Sequence, residues 1–151
     1  MLNILVVCTA NICRSPAGQI FLRDSLQGQR VSVDSAGTLA LDGNAADKTI
    51  QELMVERGHP EIVGHRSRAL LPHHLTTYQL ILCMDRSHLE KVHQMSLSTV
   101  GKTMLFGRWA EGKEVEDPVG RSLETYSNCL ENMYTYSRQW ARKITDMGLV
   151  E

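Results

Sequence analysis

Ile4-Leu5-Val6-Val7-Cys8-Thr9-Ala10-Asn11-Ile12-Cys13-Arg14-Ser15-Pro16 is the stretch around which the rest of the chain is arranged. The apolar, β-branched run Ile4 to Val7 has the length of a strand buried on both faces, as in a parallel sheet. It stops at Cys8. Seven residues on, Ser15-Pro16 predicts a hydroxyl N-cap followed by proline at the first helical position. A loop between strand and helix turns its backbone N–H groups inward, and the helix dipole adds partial positive charge. Residues Thr9, Ala10, Asn11, Ile12, Cys13, Arg14 and Ser15 therefore form a cradle for a phosphate-sized anion.

The spacing Cys-x5-Arg gives that cradle a chemistry. A free thiol titrates at about 8.5, and oriented N–H donors, a helix N-terminus and a nearby cation lower it to roughly 3.5–7.5. Cys8 is then expected to be a thiolate at the floor of an anion pocket. Arg14 can grip two phosphoryl oxygens with a planar fork, which a lysine cannot. Ser15 is placed to donate to the sulfur. The plainer alternative is a buried structural cysteine followed by a surface arginine. The coincidence of strand, spacing and helix start favours the functional reading.

The string Cys8-Thr-Ala-Asn-Ile-Cys-Arg-Ser-Pro16 resembles the phosphate loop of the low-molecular-weight protein tyrosine phosphatases, Cys-x-Gly-Asn-x-Cys-Arg-Ser-Pro, with Ala10 in place of glycine. The resemblance covers essentially the whole chain.

With 151 residues, 42% hydrophobic and 22% charged, the chain is long enough for one domain with one core, expected to span 1–151. Its net charge is −1, and no basic block points to nucleic acid. The apolar run from Leu2 to Val7 is too short for a membrane span and lacks the flanks of a signal peptide, which predicts a cytoplasmic protein. The four cysteines, Cys8, Cys13, Cys83 and Cys129, come without a secretory signal, so disulfide staples are not expected. One Cys-x4-Cys without a second ligand pair is poor zinc spacing. His88 and His93 lie five apart and His73-His74 are adjacent, so the histidines add no ligand pair, and neither metal nor cofactor is expected.

Downstream, the pattern predicts a helix at about Pro16–Leu26, a short strand at Val31–Ser35, a loop from Thr38 to Asp42, and a helix at about Ala46–Arg57 stopped by Gly58. Tyr78–Met84 reads as a central strand, and Asp85 as the cap of a helix at about Arg86–Met95. Thr103–Phe106 is a fourth strand, 107–120 a long loop, and Ser122–Met147 one long helix. Strands alternating with helices imply an α/β fold with parallel pairing through right-handed crossovers. The expectation is a small three-layer doubly wound domain with helices on both faces. The resemblance implies strand order 2-1-3-4. Ligands in such folds bind beyond the carboxyl ends of the strands, where the loop from Cys8 to Arg14 falls.

The long loop carries Glu116-Asp117-Pro118. A phenol titrates at about 10, so tyrosine leaves poorly unless a proton is supplied. An acid on a loop over the phosphate meets that need, and Pro118 restricts Asp117 to extended geometry. The position matches the family's general-acid motif. The resemblance also implies a supporting network of Asn11, Ser15, Ser35 and His65, and it alone selects His65 among six histidines. Asn11 is a residue type that tolerates the left-handed backbone region.

The implied reaction is attack by Cys8 on phosphorus, charge stabilisation by Arg14 and loop N–H groups, protonation of the phenolate by Asp117, and hydrolysis of the phosphocysteine. Cys13, in the same loop, is the expected redox partner of Cys8. The substrate ring would be flanked by Leu39, Leu41 and Val119 in place of the aromatic residues the family often uses. Those departures resemble the bacterial branch, in which the partner is a phosphotyrosine protein: a cognate tyrosine autokinase of capsule and exopolysaccharide export. Two rival readings share the residues. An arsenate reductase of the same fold needs a cysteine relay, for which Cys83 lacks a companion in the next helix. A non-catalytic phosphotyrosine-binding module would not need both Cys8 and Asp117.

Overall fold

The computed structural model describes residues 1–149, so the last two residues of the predicted domain lie outside the described part. Four strands, β1 (Leu2–Cys8), β2 (Val31–Gly37), β3 (Leu80–Cys83) and β4 (Thr103–Leu105), form one all-parallel sheet in the order 2-1-3-4. Among them run α1 (Arg14–Ser25), α2 (Lys48–Glu56), α3 (Arg86–Met95) and α4 (Leu123–Asp146). Both the topology and the three layers match the sequence expectation.

Alternation along the two central strands builds the layers. Ile4, Val6 and Cys8 of β1, with Leu80, Leu82 and Met84 at β3, face a core shared with α1, α2 and α4. Leu5, Val7, Ile81 and Cys83 point the other way, against Leu70, Leu75, Tyr78 and Val92 of α3. Successive side chains leave opposite faces of a strand, so a strand covered on both sides must be apolar throughout. β1 and β3 satisfy that. The long α4 is fixed at the sheet's edge by Trp140, whose indole N–H donates to the Phe106 carbonyl at 2.9 Å.

Most helix ends follow the sequence signals. Asp47 caps α2 by accepting from the Ile50 N–H, Asp85 caps α3 from Ser87 and His88, and Ser122 caps α4 from Thr125. The first helix departs from expectation. α1 begins at Arg14 with Cys13 as its N-cap and no capping side chain, so Ser15 is not the cap and Pro16 is not the first helical residue. The Ser15 hydroxyl is instead turned back to Cys8 and Asn11. The stretches before β3 and β4 contain short 3-10 turns at Pro60–Gly64, Pro72–Thr76 and Leu97–Thr99.

Candidate active site

The loop from Cys8 to Arg14 lies at the carboxyl end of central strand β1, and four of its carbonyls are engaged on the outside. Thr38 N–H donates to Cys8 O and Leu39 N–H to Thr9 O, each at 2.9 Å. His65 Nε2 lies 2.7 Å from Asn11 O, and Asp47 N–H donates to Ile12 O at 2.7 Å. Across a trans peptide the next N–H points opposite to the carbonyl. Holding four carbonyls outward therefore aims the N–H groups of Thr9, Ala10, Ile12 and Cys13 into the loop. That is the backbone cradle an anion needs.

Close approach of β2 makes this possible. A Cβ on Gly37 would strike the Thr9 carbonyl oxygen and come within 2.9 Å of Asn11 N. Only glycine lets the end of β2 lie against the loop. The left-handed turn within the loop falls on Asn11, at φ 58°, whereas Ala10 is not among the residues of positive φ. The alanine therefore occupies the motif's glycine position without backbone strain.

Hydrogen-bond direction around the sulfur can be followed from donor to acceptor. Asn11 Nδ2 donates both its hydrogens, to Ser15 Oγ at 2.7 Å and Ser35 Oγ at 3.0 Å. Ser35 passes its own proton to Gln19 Oε1 at 2.6 Å. Ser15, with an acceptor site filled by Asn11, is left to donate to Cys8 Sγ at 2.8 Å. The Asn11 side-chain oxygen accepts from Arg68 N–H at 2.9 Å, fixing the amide's orientation. Asn11 and Ser15 are fully buried, and removing one partner of such a network strands the others at roughly 1–3 kcal/mol each. Asn11, Ser15, Ser35 and His65 are thus brought together as predicted from the resemblance. Gln19 and Arg68 were missed, although Gln19 lies four residues after Ser15 and so shares its helix face.

Arg14, 4% exposed, is held from three sides. Its Nη1 donates to Asp85 Oδ2 at 3.1 Å and to Val115 O at 3.0 Å, and its Nη2 reaches Thr9 Oγ1 at 3.5 Å. Burial tends to raise the Asp85 carboxyl, but the Ser87 hydrogen bond, His88 and Arg14 together hold it below the usual carboxylate range. From the sequence, Asp85 was legible only as a helix cap.

The segment bearing Asp117 is pinned at both ends. Val115 N–H donates to Met84 O at 2.7 Å, just before the carbonyl that meets Arg14. At the far end the Tyr126 hydroxyl bonds the Asp47 carboxylate and the Gly120 backbone, and burial with the Asp47 charge pushes that phenol up to about 12. Asp117 is exposed between these anchors, with Oδ1 accepting from Val119 N–H at 3.1 Å across Pro118. Its charge acts on Cys13, Cys129 and His88, so it lies in the neighbourhood of the loop. Leu39 and Leu41, each 75% exposed, and Val119, 44% exposed, present apolar side chains to solvent. Cys13 is buried as a free thiol, and burial with the neighbouring Cys129 and Cys8 pushes it well up.

A strand-ending thiol, an anion cradle and a buried guanidinium on a doubly wound sheet define a cysteine-dependent phosphatase. The chain belongs to the low molecular weight phosphotyrosine protein phosphatase family, whose model matches residues 3–148. It is 38% identical over 143 residues to the low molecular weight protein-tyrosine-phosphatase Etp of Escherichia coli K12, covering 95% of both chains. The crystal structure of the tyrosine phosphatase Wzb from Escherichia coli K30 in complex with sulphate superposes with a TM-score of 0.89 at 36% identity, covering 95% of this chain and 99% of that one. The arginine phosphatase YwlE from Geobacillus stearothermophilus superposes with a TM-score of 0.90 at 27% identity, covering 99% and 96%.

Proposed function

We propose that residues 1–151 form a single phosphatase domain that hydrolyses phosphotyrosine through a phosphocysteine on Cys8. The observation that carries this reading is the one-way hydrogen-bond chain ending on Cys8 Sγ, set inside a loop whose N–H groups face the same space.

In the first step Cys8 attacks phosphorus and the P–O bond to the tyrosyl oxygen breaks. Inward N–H groups and Arg14 hold the equatorial oxygens, where charge is greatest. Asp117 gives its proton to the departing phenolate. In the second step the Asp117 carboxylate takes a proton from water as that water attacks phosphorus. The S–P bond breaks, phosphate leaves, and Ser15 stabilises the returning thiolate. Leu39, Leu41 and Val119 flank the tyrosyl ring.

The substrate is a phosphotyrosine protein, and the resemblance to the bacterial branch makes a cognate tyrosine autokinase of capsule or exopolysaccharide production the leading partner. Similarity to Etp and Wzb supports that choice. Tyrosine phosphorylation draws on ATP, which makes the cytoplasm the compartment. Among the described residues no helix is long and apolar enough to cross a membrane.

Steady-state assays on a phosphotyrosine peptide, a phosphoarginine peptide, and arsenate with thioredoxin separate the readings. Preferential turnover of the phosphotyrosine peptide is expected. Preference for either other substrate overturns the assignment, and binding without turnover leaves only a recognition module.

A further inference from the structure

His88 is 2% exposed on the first turn of α3, and both of its ring nitrogens have partners. The Asp85 N–H donates to Nδ1 at 3.2 Å, so Nδ1 carries the lone pair and the ring proton sits on Nε2. Nε2 lies 2.8 Å from Thr9 Oγ1 and is therefore the donor of that bond. The Thr9 oxygen also faces Arg14 Nη2 at 3.5 Å. With two donors directed at it, the Thr9 hydroxyl keeps its own proton for a third partner. Thr9 follows Cys8 directly in the anion loop, so the acceptor that fits there is an oxygen of the phosphoryl group.

The same histidine touches the Arg14 brace. Asp85 Oδ2 receives Arg14, while Oδ1 receives Ser87 N–H at 2.9 Å, the Ser87 hydroxyl, and His88 N–H at 3.3 Å. A proton on His88 Nδ1 would confront the Asp85 N–H and draw on Oδ1, 3.3 Å away. Only the neutral ring fits this arrangement without disturbing the carboxylate that holds Arg14. Burial and Arg14 oppose the imidazolium, against the charges of Asp85, Asp117 and Glu114, and the balance lies below the ordinary histidine value.

We infer that His88 is a positioning residue of the phosphatase site: its Nε2–H orients the Thr9 hydroxyl toward the phosphoryl group, and its unprotonated Nδ1 keeps Asp85 free to brace Arg14. The inference rests on the phosphatase reading above. It adds a second network on the side of the loop opposite Asn11, Ser35 and His65.

The test combines p-nitrophenyl phosphate kinetics of Thr9→Val, His88→Asn, His88→Gln and Thr9→Val/His88→Asn with nitrogen NMR of the wild-type ring. Asparagine can replace Nδ1 as acceptor but cannot reach Thr9, whereas the glutamine amide nitrogen reaches the Nε2 position. Thr9→Val and His88→Asn should each lower kcat/KM by about tenfold, the worth of one well-placed hydrogen bond in the transition state. The double variant should be no worse than the poorer single, and His88→Gln should recover most of the loss. Losses that multiply in the double variant, or a glutamine as poor as asparagine, overturn the inference. NMR judges it without any variant folding: the Nε2–H tautomer at neutral pH is expected, and the Nδ1–H tautomer or an imidazolium contradicts it. Absence of turnover by the wild-type protein would instead remove the phosphatase reading, leaving the tautomer result to stand by itself.

Discussion

Asp117, Ala10 and Cys13 each carry a role that one substitution or one reagent can isolate. Asp117→Asn should slow phosphotyrosine hydrolysis by roughly 10²–10⁴-fold, the worth of general acid–base catalysis, and should cost much less with a strongly acidic leaving group. Kinetics across a series of aryl phosphates check this, since equal losses at every leaving-group pKa would remove Asp117 from the protonation step. Ala10→Gly should leave phosphate binding unchanged and lower stability by about 0.4–1 kcal/mol, because Asn11 carries the positive φ and glycine only loosens the unfolded chain. Thermal denaturation beside a phosphate titration decides, and a gain in stability would contradict it. For Cys13 the proposal is capture of oxidised Cys8. Peroxide converts the Cys8 thiolate to a sulfenic acid, the Cys13 sulfur attacks it, and water leaves as the disulfide forms. Burial opposes the Cys13 thiolate, so capture should quicken as pH rises. Mass spectrometry showing sulfinic acid on Cys8 with Cys13 still free, at every pH, would exclude the pairing.

At the scale of elements, what the sequence shows and hides follows from the range of the interactions. The buried central strands were legible because Ile4 to Val7 and Leu80 to Cys83 are apolar without interruption, a local property. The caps Asp47 and Asp85 act within three residues, and Asp85 was readable for that reason. The start of α1 was misread because Ser15 has a longer-range use: its hydroxyl serves Cys8, seven residues back, and a serine capping its own helix could not do so. The Arg14 contacts with Asp85 and Val115 join residues 71 and 101 apart, and no periodicity reports them. His65 was found through the family motif alone, for the same reason. Gly37 belongs to this class as well. Its need for a bare Cα comes from a loop almost thirty residues earlier, so no local pattern reports it.

On the scale of the whole molecule, the two buried networks that flank the loop meet solvent conditions together. His65 and His88 are both pushed below the ordinary histidine value of 6.5, chiefly by burial. The unfolded chain therefore binds protons at these sites before the folded one does. Stability from this source is complete above the unfolded value and is lost as pH falls below it, toward the lowered folded values. Asp85, held below its ordinary 3.8, extends the loss at still lower pH. Chemical denaturation from neutral to mildly acidic pH should show stability level above about 6.5 and declining beneath it, with a shallower decline in His88→Gln. A profile that stays level well into the acid range would show that the histidines fold in their charged forms.

The central claim is that phosphoryl transfer passes through the sulfur of Cys8. Its most direct test is acid quenching of the protein during turnover of a phosphotyrosine peptide, followed by peptide mapping by mass spectrometry. One transient phosphoryl group is expected, on Cys8, forming before phosphate appears in bulk; Cys8→Ser cannot form the S–P bond and should not turn over. Full turnover by Cys8→Ser, or a phosphoryl group trapped in the wild-type protein on any residue other than Cys8, would contradict it.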